Sequence, residues 1–190
     1  MKYSVGVSCA LCALLGAGFS WAAEVALVNP GFEEATDRPT GWRISQHAGA
    51  VSFHMGLDEE VFAEGKRSFR IKRLIPQVYG LVDQVVTAPD SGGRSLLFSA
   101  MLRTEEVGPM GWVLVVNFLG ETGGILGQVR SEPMTGTADW RRVTLKESIP
   151  AGTQKLAAGA MLLDSGTGWV DDLKLSVGSD EGFAAGPTSP

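Results

Sequence analysis

The sequence predicts an all-β fold, an antiparallel β-sandwich. Apolar and polar residues alternate at a period of two along much of the chain, which is typical of strands with one buried face. Turn signals rich in Gly, Pro, Asp and Ser interrupt this alternation at short intervals, and no helical pattern is longer than about two turns. About nine or ten short strands in such an order predict a sandwich rather than alternating βα units.

The alternation is clearest in three segments. In "SFRIKR", Phe69 and Ile71 lie on one face and the polar residues on the other. The segments "WRRVTLKESI" and "WVDDLKLSV" repeat the pattern, and the second places Asp171 on the same face as Leu173 and Leu175. The other strand candidates are, in chain order, residues 25–28, 51–55, 81–86, 96–104, 112–119, 128–131 and 156–163.

The first 22 residues are predicted to be a signal peptide. Lys2 forms a short positive region, an apolar stretch follows at 5–19, and small residues permit cleavage after Ala22 or Ala23. This stretch is short for a membrane span, so we expect a secreted or periplasmic protein with no span. Residues 23–178 then form one domain, and 179–190, rich in Gly, Ser and Pro, are predicted to be a disordered tail.

Composition excludes several function classes. Both cysteines lie within the signal segment, so the exported chain has neither a disulfide nor a cysteine nucleophile. The 16 basic residues are outnumbered by 21 acidic ones and form no cluster, so no nucleic-acid partner is expected.

Catalytic motifs are not found in the sequence. His47 and His54 lack the spacing of a zinc site, and no Gly-x-Ser-x-Gly elbow is present. The adjacent carboxylate pairs, such as Glu33-Glu34, point to opposite faces of a strand and do not form an acid and a base across a cleft. No catalytic residue is therefore predicted.

The tryptophans suggest two different roles. Trp42, Trp140 and Trp169 stand next to glycines or at strand starts and are predicted to close the ends of the core. Trp112 begins a long apolar strand just after "VGPMG", where it could offer a flat face to a ligand.

Four landmarks, "LVNPGFEE…PTGW", "EGKRSFRI", "FSAMLRTEE" and "DWRRVTL…IPAG…GTGWVDDLKL", occur in one order. In this order the sequence resembles the carbohydrate-binding modules of families 4, 9 and 22, in the galactose-binding-like superfamily. The resemblance covers roughly residues 25–177. It implies a jelly roll of two antiparallel sheets of about five strands each.

The resemblance also implies a structural calcium. The residues that match the family's calcium ligands are Glu33, Asp171 and a main-chain carbonyl in the Gly65–Lys66 turn. Calcium takes six to eight oxygen ligands, many from carboxylates and carbonyls. An alternative for Asp171 is to cap a loop through its main-chain N–H groups.

A glycan-binding cleft is the third implication. Polar matches to the family are Gln84, Arg103 and Asn117, and the nearby aromatic candidates are Tyr79 and Trp112. The ligand expected from the resemblance is an oligosaccharide or polysaccharide. Two alternatives stay open: an adaptor domain that contacts an extracellular or envelope protein, and a small glycan-active enzyme.

Overall fold

The computed structural model describes residues 22–34, 38–88, 91–180 and 183. The signal segment up to Trp21 and most of the tail after Asp180 lie outside the described residues, so the predictions for them are not addressed. The described part contains ten strands: β1 Ala23–Glu24, β2 Arg43–Gln46, β3 Phe53–Asp58, β4 Ser68–Arg73, β5 Gly80–Thr87, β6 Ser95–Leu119, β7 Ile125–Arg130, β8 Met134–Ser148, β9 Lys155–Leu162 and β10 Thr167–Gly178.

The strands form two five-stranded antiparallel sheets, which confirms the predicted fold class. Sheet I has the order β2-β5-β9-β6-β7, and sheet II has the order β3-β4-β10-β6-β8. The short β1 pairs with the end of β10. Strand β6 belongs to both sheets, because its first half pairs with β10 and its second half with β9.

The change of sheet within β6 takes place between the two strands that the sequence predicts at 96–104 and 112–119. Glu106 and Gly111 there have positive φ angles of 52° and 82°. This backbone conformation suits glycine and bends the strand. The structure therefore joins the two predicted strands into one bent element of 25 residues.

The core lies between the sheets and is rich in aromatic side chains. Phe32, predicted to be buried, has no exposed surface. Its ring centroid lies 5.1 Å from that of Trp42 and 5.5 Å from that of Phe69. The turn "NPGF" therefore anchors the start of the domain to both β4 and the loop before β2.

A β-bulge in β10 overturns the predicted facing of Asp171. The pairing register between β10 and β6 shifts between Asp171 and Lys174, and Asp172 has a positive φ of 44°. Because the bulge adds one residue, Val170, rather than Asp171, shares the core face with Leu173. Asp171 is fully buried, but on the other side of the strand, under the loop before β4.

Three segments differ from the secondary structure that the sequence predicts. Residues 25–28 form no strand, although the main-chain N–H of Val25 donates to the carbonyl of Leu175. Strand β2, too short to show an alternating pattern, was not predicted. The segment "DEEVFAEG", the best short helical candidate, forms bends and turns.

Asp58 at the end of β3 ties sheet II together. Its carboxylate accepts hydrogen bonds from the indole of Trp169 (2.9 Å) and from the amides of Glu60 and Val61, and it forms an ion pair with Arg70. Burial alone would raise the pKa of the Asp58 carboxyl. The hydrogen bonds and the Arg70 charge together have a larger, opposite effect, so the pKa lies below its usual value.

This lowered pKa predicts a stability loss in acid. A carboxylate whose pKa is lower in the folded state stabilises it above its unfolded pKa of about 4, and the contribution disappears as the pH falls below that value. We expect Asp58→Asn to reduce the free energy of unfolding by about 1–2 kcal/mol at pH 7. Urea unfolding at pH 7 and pH 3 measures this. A deficit of the same size at both pH values would contradict the assignment.

Candidate functional site

The outer face of sheet I carries a second, smaller group of apolar residues outside the core. Val113 and Val115 of β6 and Met161 of β9 pack together there, with Tyr79 and Leu81 beside them. Successive side chains of a strand point to opposite faces, and the strand neighbours of these residues belong to the core. These residues therefore point away from the core. The middle of this outer face is therefore apolar, and Val113, Val115 and Met161 are themselves nearly fully buried.

Two depressions lie on this face. One, of about 480 Å³, is lined by Arg43, Ile44, Ser45, Leu81, Asp83, Asn117, Leu119, Gly123, Ile125 and Ala157. The other, of about 310 Å³, is lined by Val78, Tyr79, Leu81, Met110, Val115, Asn117, Ile125, Gln128, Arg130, Met161 and Leu163. Because Leu81, Asn117 and Ile125 line both, the two form one groove across the strands, called here the sheet I groove.

A row of three polar side chains crosses the groove. Asn117 pairs with Gln128 across β6 and β7, and Arg130 pairs with Val115. The Gln128 amide nitrogen donates to Asn117 Oδ1 (2.7 Å), and Arg130 donates from Nε and Nη2 to Gln128 Oε1 (2.9 and 2.7 Å). These residues form the polar ladder: Asn117 lines both depressions, whereas Gln128 and Arg130 line the smaller one.

An ion pair occupies the end of the groove near β2. Arg43 of β2 and Asp83 of β5 face each other in register, and the Arg43 guanidinium binds both carboxylate oxygens of Asp83. The Asp83 side chain is 4 % exposed, whereas that of Arg43 is 59 % exposed. The pair therefore presents the guanidinium edge, with its charge neutralised, to solvent.

The opposite end of the groove is apolar. Met110 and Val78 are more than half exposed there, as is Ile125, which lines both depressions, although large apolar side chains are usually covered. Tyr79 is half-buried, and its ring meets that of His47 edge to face at 5.9 Å between centroids. Tyr79 is thus held at the rim by His47 and keeps part of its ring open to the groove.

Of the residues named from the resemblance, Tyr79 and Asn117 line the same depression. Arg103 lies elsewhere, on the outer face of sheet II, where it stands over the Trp169 ring at 5.8 Å and donates to Asp139. It does not reach the sheet I groove, so its assignment to a common cleft with Tyr79 is wrong.

Trp112 does not face a ligand either. Its side chain has no exposed surface, and its indole N–H donates to the main-chain carbonyl of Trp169 (3.0 Å) in the core. A Cβ on Gly168 would lie 2.5 Å from its ring, so only glycine fits beside it. The prediction of a ligand-stacking Trp112 is wrong because the side chain turns inward at the bend of β6.

Gln84 is also a structural residue. It is 4 % exposed, and its amide both accepts from the main-chain N–H of Val28 (2.8 Å) and donates to the carbonyl of Val28 (3.0 Å). The side-chain amide of Gln84 therefore satisfies both main-chain groups of Val28, as the peptide groups of a neighbouring strand would. The expected cleft role is wrong because the chain segment before β2 covers this side chain.

Glu33 and Asp171 anchor the loop that precedes β4. Glu33 Oε1 accepts from the amides of Lys66 (2.9 Å) and Arg67 (3.1 Å). Asp171 Oδ2 accepts from Ala63 and Glu64, and its Oδ1 accepts from Asp172. The loop-capping alternative for Asp171 is therefore observed, and Glu33 does the same.

The charge of Glu33 acts on the buried Asp171 carboxyl. The pKa of the Asp171 carboxyl lies above its usual value, chiefly because the group is buried. Its three amide donors lower the pKa, and the nearby Glu33 charge raises it. Both side chains pass near Gly31, where a Cβ would lie 3.7 Å from Asp171 Oδ1 and 3.8 Å from Glu33 Cγ. Among the described residues, no group of three or more His, Cys, Asp or Glu side chains is arranged for a metal.

Sequence reasoning missed most of the groove. The sequence alone does not indicate four of its residues, because their meeting depends on strand pairing between β2 and β5 and between β6 and β7: Arg43, Asp83, Gln128 and Arg130. The available signal was the alternation of Gln128 and Arg130 on one face of a predicted strand.

No helix formed by the described residues is long and apolar enough to cross a membrane.

Comparison with known proteins shows the fold. No family model and no curated protein matches the sequence. Among solved structures, tailspike protein 4 of bacteriophage CBA120 matches with a TM-score of 0.66 and 12% identity over 80% of this chain. This chain spans only 21% of that tailspike.

Two further structures are matched along nearly their whole length. The Stig cyclase Fisc from Fischerella sp. TAU, solved in complex with an indole compound, has a TM-score of 0.61 at 14% identity, with 84% of this chain and 100% of that chain covered. The CBM22-1 xylan-binding domain of Paenibacillus barcinonensis Xyn10C has a TM-score of 0.57 at 13% identity, with 83% and 97% covered. The chain therefore has the jelly-roll fold of carbohydrate-binding modules, as the sequence predicted.

Proposed function

We propose that this protein is an exported glycan-binding module that uses the sheet I groove and performs no catalysis of its own. The observation that carries the proposal is the polar ladder, which crosses an apolar groove floor beside the half-open ring of Tyr79. Sugars bind proteins through this combination, because hydroxyls need hydrogen-bond partners and the C–H faces of the ring need apolar or aromatic contacts. The xylan-binding neighbour supports the same class of ligand.

The proposal is tested by titrating the protein with a panel of oligosaccharides that includes xylohexaose. We expect binding by at least one member, and we expect Asn117→Ala to weaken it about tenfold or more through loss of a hydrogen-bonding group. Arg103→Ala, on the opposite sheet, is the matched control and should leave the affinity unchanged. Binding that is lost in the Arg103 variant and kept in the Asn117 variant would contradict the assignment.

A second candidate function is favoured by one observation, the cluster of exposed apolar side chains at one end of the groove. Met110, Val78 and Ile125 would suit an apolar small molecule, and the structurally similar cyclase was solved with an indole compound. Binding of indole in the absence of any glycan binding would favour this function over the first.

We also propose a structural calcium held by Glu33 and Asp171. The two carboxylates lie close enough for the Glu33 charge to raise the pKa of Asp171, and a cation between them would relieve this repulsion. Each keeps acceptor capacity beyond its amide contacts, and main-chain carbonyls of the Gly65–Lys66 turn and water would supply further ligands. The metal would fix the domain's first turn to β10.

The calcium proposal predicts a shift in thermal stability. A ligand at a hundredfold excess over its Kd adds about 2.7 kcal/mol, which corresponds to roughly 5–10 °C in Tm for a domain of this size. We expect calcium to raise the Tm of protein treated with chelator, and Glu33→Gln to remove most of the rise. Glu34→Gln is the control, because the exposed Glu34 makes only main-chain contacts. Identical melting curves with calcium and with chelator would refute the proposal.

A further inference from the structure

The polar ladder has one hydrogen-bonding orientation. Arg130 has donors alone, so the Gln128 atom that faces it must be the carbonyl oxygen, Oε1. The Gln128 amide nitrogen therefore lies on the other side and donates to Asn117, whose oxygen must face it. Arg130 thus fixes which side of each amide, in Gln128 and in Asn117, carries the oxygen.

The groups that remain free on this ladder are donors. Both N–H bonds of Asn117 Nδ2, the second N–H of Gln128 and the Nη1 group of Arg130 have no acceptor within the ladder. Gln128 Oε1 already accepts two hydrogen bonds and Asn117 Oδ1 accepts one, so the acceptor capacity left on the ladder is a single lone pair of Asn117. A ligand group that binds here must therefore be rich in acceptors.

The charge of the groove points the same way. Two guanidiniums and one carboxylate line the two depressions, and the carboxylate of Asp83 is paired with Arg43. In the part of the chain that the structure describes, no carboxylate forms an ion pair with Arg130. The groove thus carries an excess positive charge on a protein whose net charge is −5.

We infer that the glycan bound in the sheet I groove is acidic and carries a carboxylate, as in a hexuronic acid, which Arg130 and Asn117 bind. This inference rests on the proposed glycan-binding function. A guanidinium binds a carboxylate through parallel N–H bonds, and its free edge at Nη1 and the Asn117 amide supply such donors. The ring that bears the carboxylate places its C–H face against the exposed apolar side chains of the groove, Ile125 and Met110.

The experiment compares the trimer of galacturonic acid with its methyl ester, which has the same rings and linkages without the charge. A trimer of guluronic acid tests a second uronic acid, and a sulfated trisaccharide tests another anion. Affinities are measured by calorimetry at low salt. We expect an acid trimer to bind at least about tenfold more tightly than the ester, with the preference reduced at high salt.

Two variants locate the effect. Arg130→Gln should remove the preference for acid over ester, while Lys72→Gln, which removes an exposed cation from sheet II, should keep it. Equal binding of acid and ester, or a preference that survives Arg130→Gln, would overturn the inference and leave the proposed function standing. Tighter binding of the sulfated sugar would overturn the carboxylate assignment. Failure of every charged and neutral sugar to bind would overturn the proposed function itself.

Discussion

Replacing Trp112 with alanine is expected to lower the free energy of unfolding by about 3–5 kcal/mol, because it removes a fully buried indole and leaves a cavity at the bend of β6. The loss includes the hydrogen bond from the indole to the carbonyl of Trp169, which would be left without its donor. Urea unfolding followed by far-UV circular dichroism measures the change.

Trp140→Ala is the matched control for this prediction. Trp140 lies in β8 and is only half-buried, so we expect its loss to cost much less than that of Trp112. If the Trp112 variant kept wild-type stability but lost glycan binding, the side chain would be a ligand contact after all, and the account of the core would be wrong.

Replacing Asp171 with alanine is expected to cost about 2–4 kcal/mol, measured in the presence of chelator so that any bound metal does not contribute. The substitution leaves the amides of Ala63, Glu64 and Asp172 without their acceptor, and hydrogen bonds to a carboxylate are stronger than those between neutral groups. Removal of a buried charge offsets part of the loss.

The loop before β4 should open in the Asp171 variant. Hydrogen exchange at Ala63 and Glu64 is therefore expected to become much faster, whereas exchange in sheet I should stay close to that of the wild type. Glu34→Ala serves as the control, because the Glu34 side chain is exposed and the substitution should change stability by less than about 0.5 kcal/mol. A stable Asp171 variant with a protected loop would contradict the anchoring role.

The fold could be predicted because most strands show one buried face. Phe69 and Ile71 in β4 are buried as their alternation requires, and the order of such strands identified the sandwich. The same rule failed at Asp171, because a β-bulge adds one residue and reverses the facing of everything before it. Nothing in "WVDDLKL" marks the bulge except two acidic residues where the backbone turns.

The candidate site was less predictable, because a groove on a sheet depends on which strands are neighbours. Asn117 and Tyr79 were identified through the resemblance, but Gln128 and Arg130 reach Asn117 only through the pairing of β7 with β6. Trp112 was misplaced for a related reason. The start of an apolar strand looks like a rim in the sequence, whereas the bend of β6 turns that residue into the core.

The most direct test of the central claim, that the sheet I groove is the binding site, is a titration of protein with ¹³C-labelled methionine methyl groups against an oligosaccharide that it binds. Met110 and Met161 line the groove, whereas Met55 and Met101 belong to the parts of β3 and β6 that pair within sheet II. We predict that the resonances of Met110 and Met161 shift with saturation while those of Met55 and Met101 stay in place. Shifts confined to Met55 and Met101 would contradict the account and move the site to the opposite sheet.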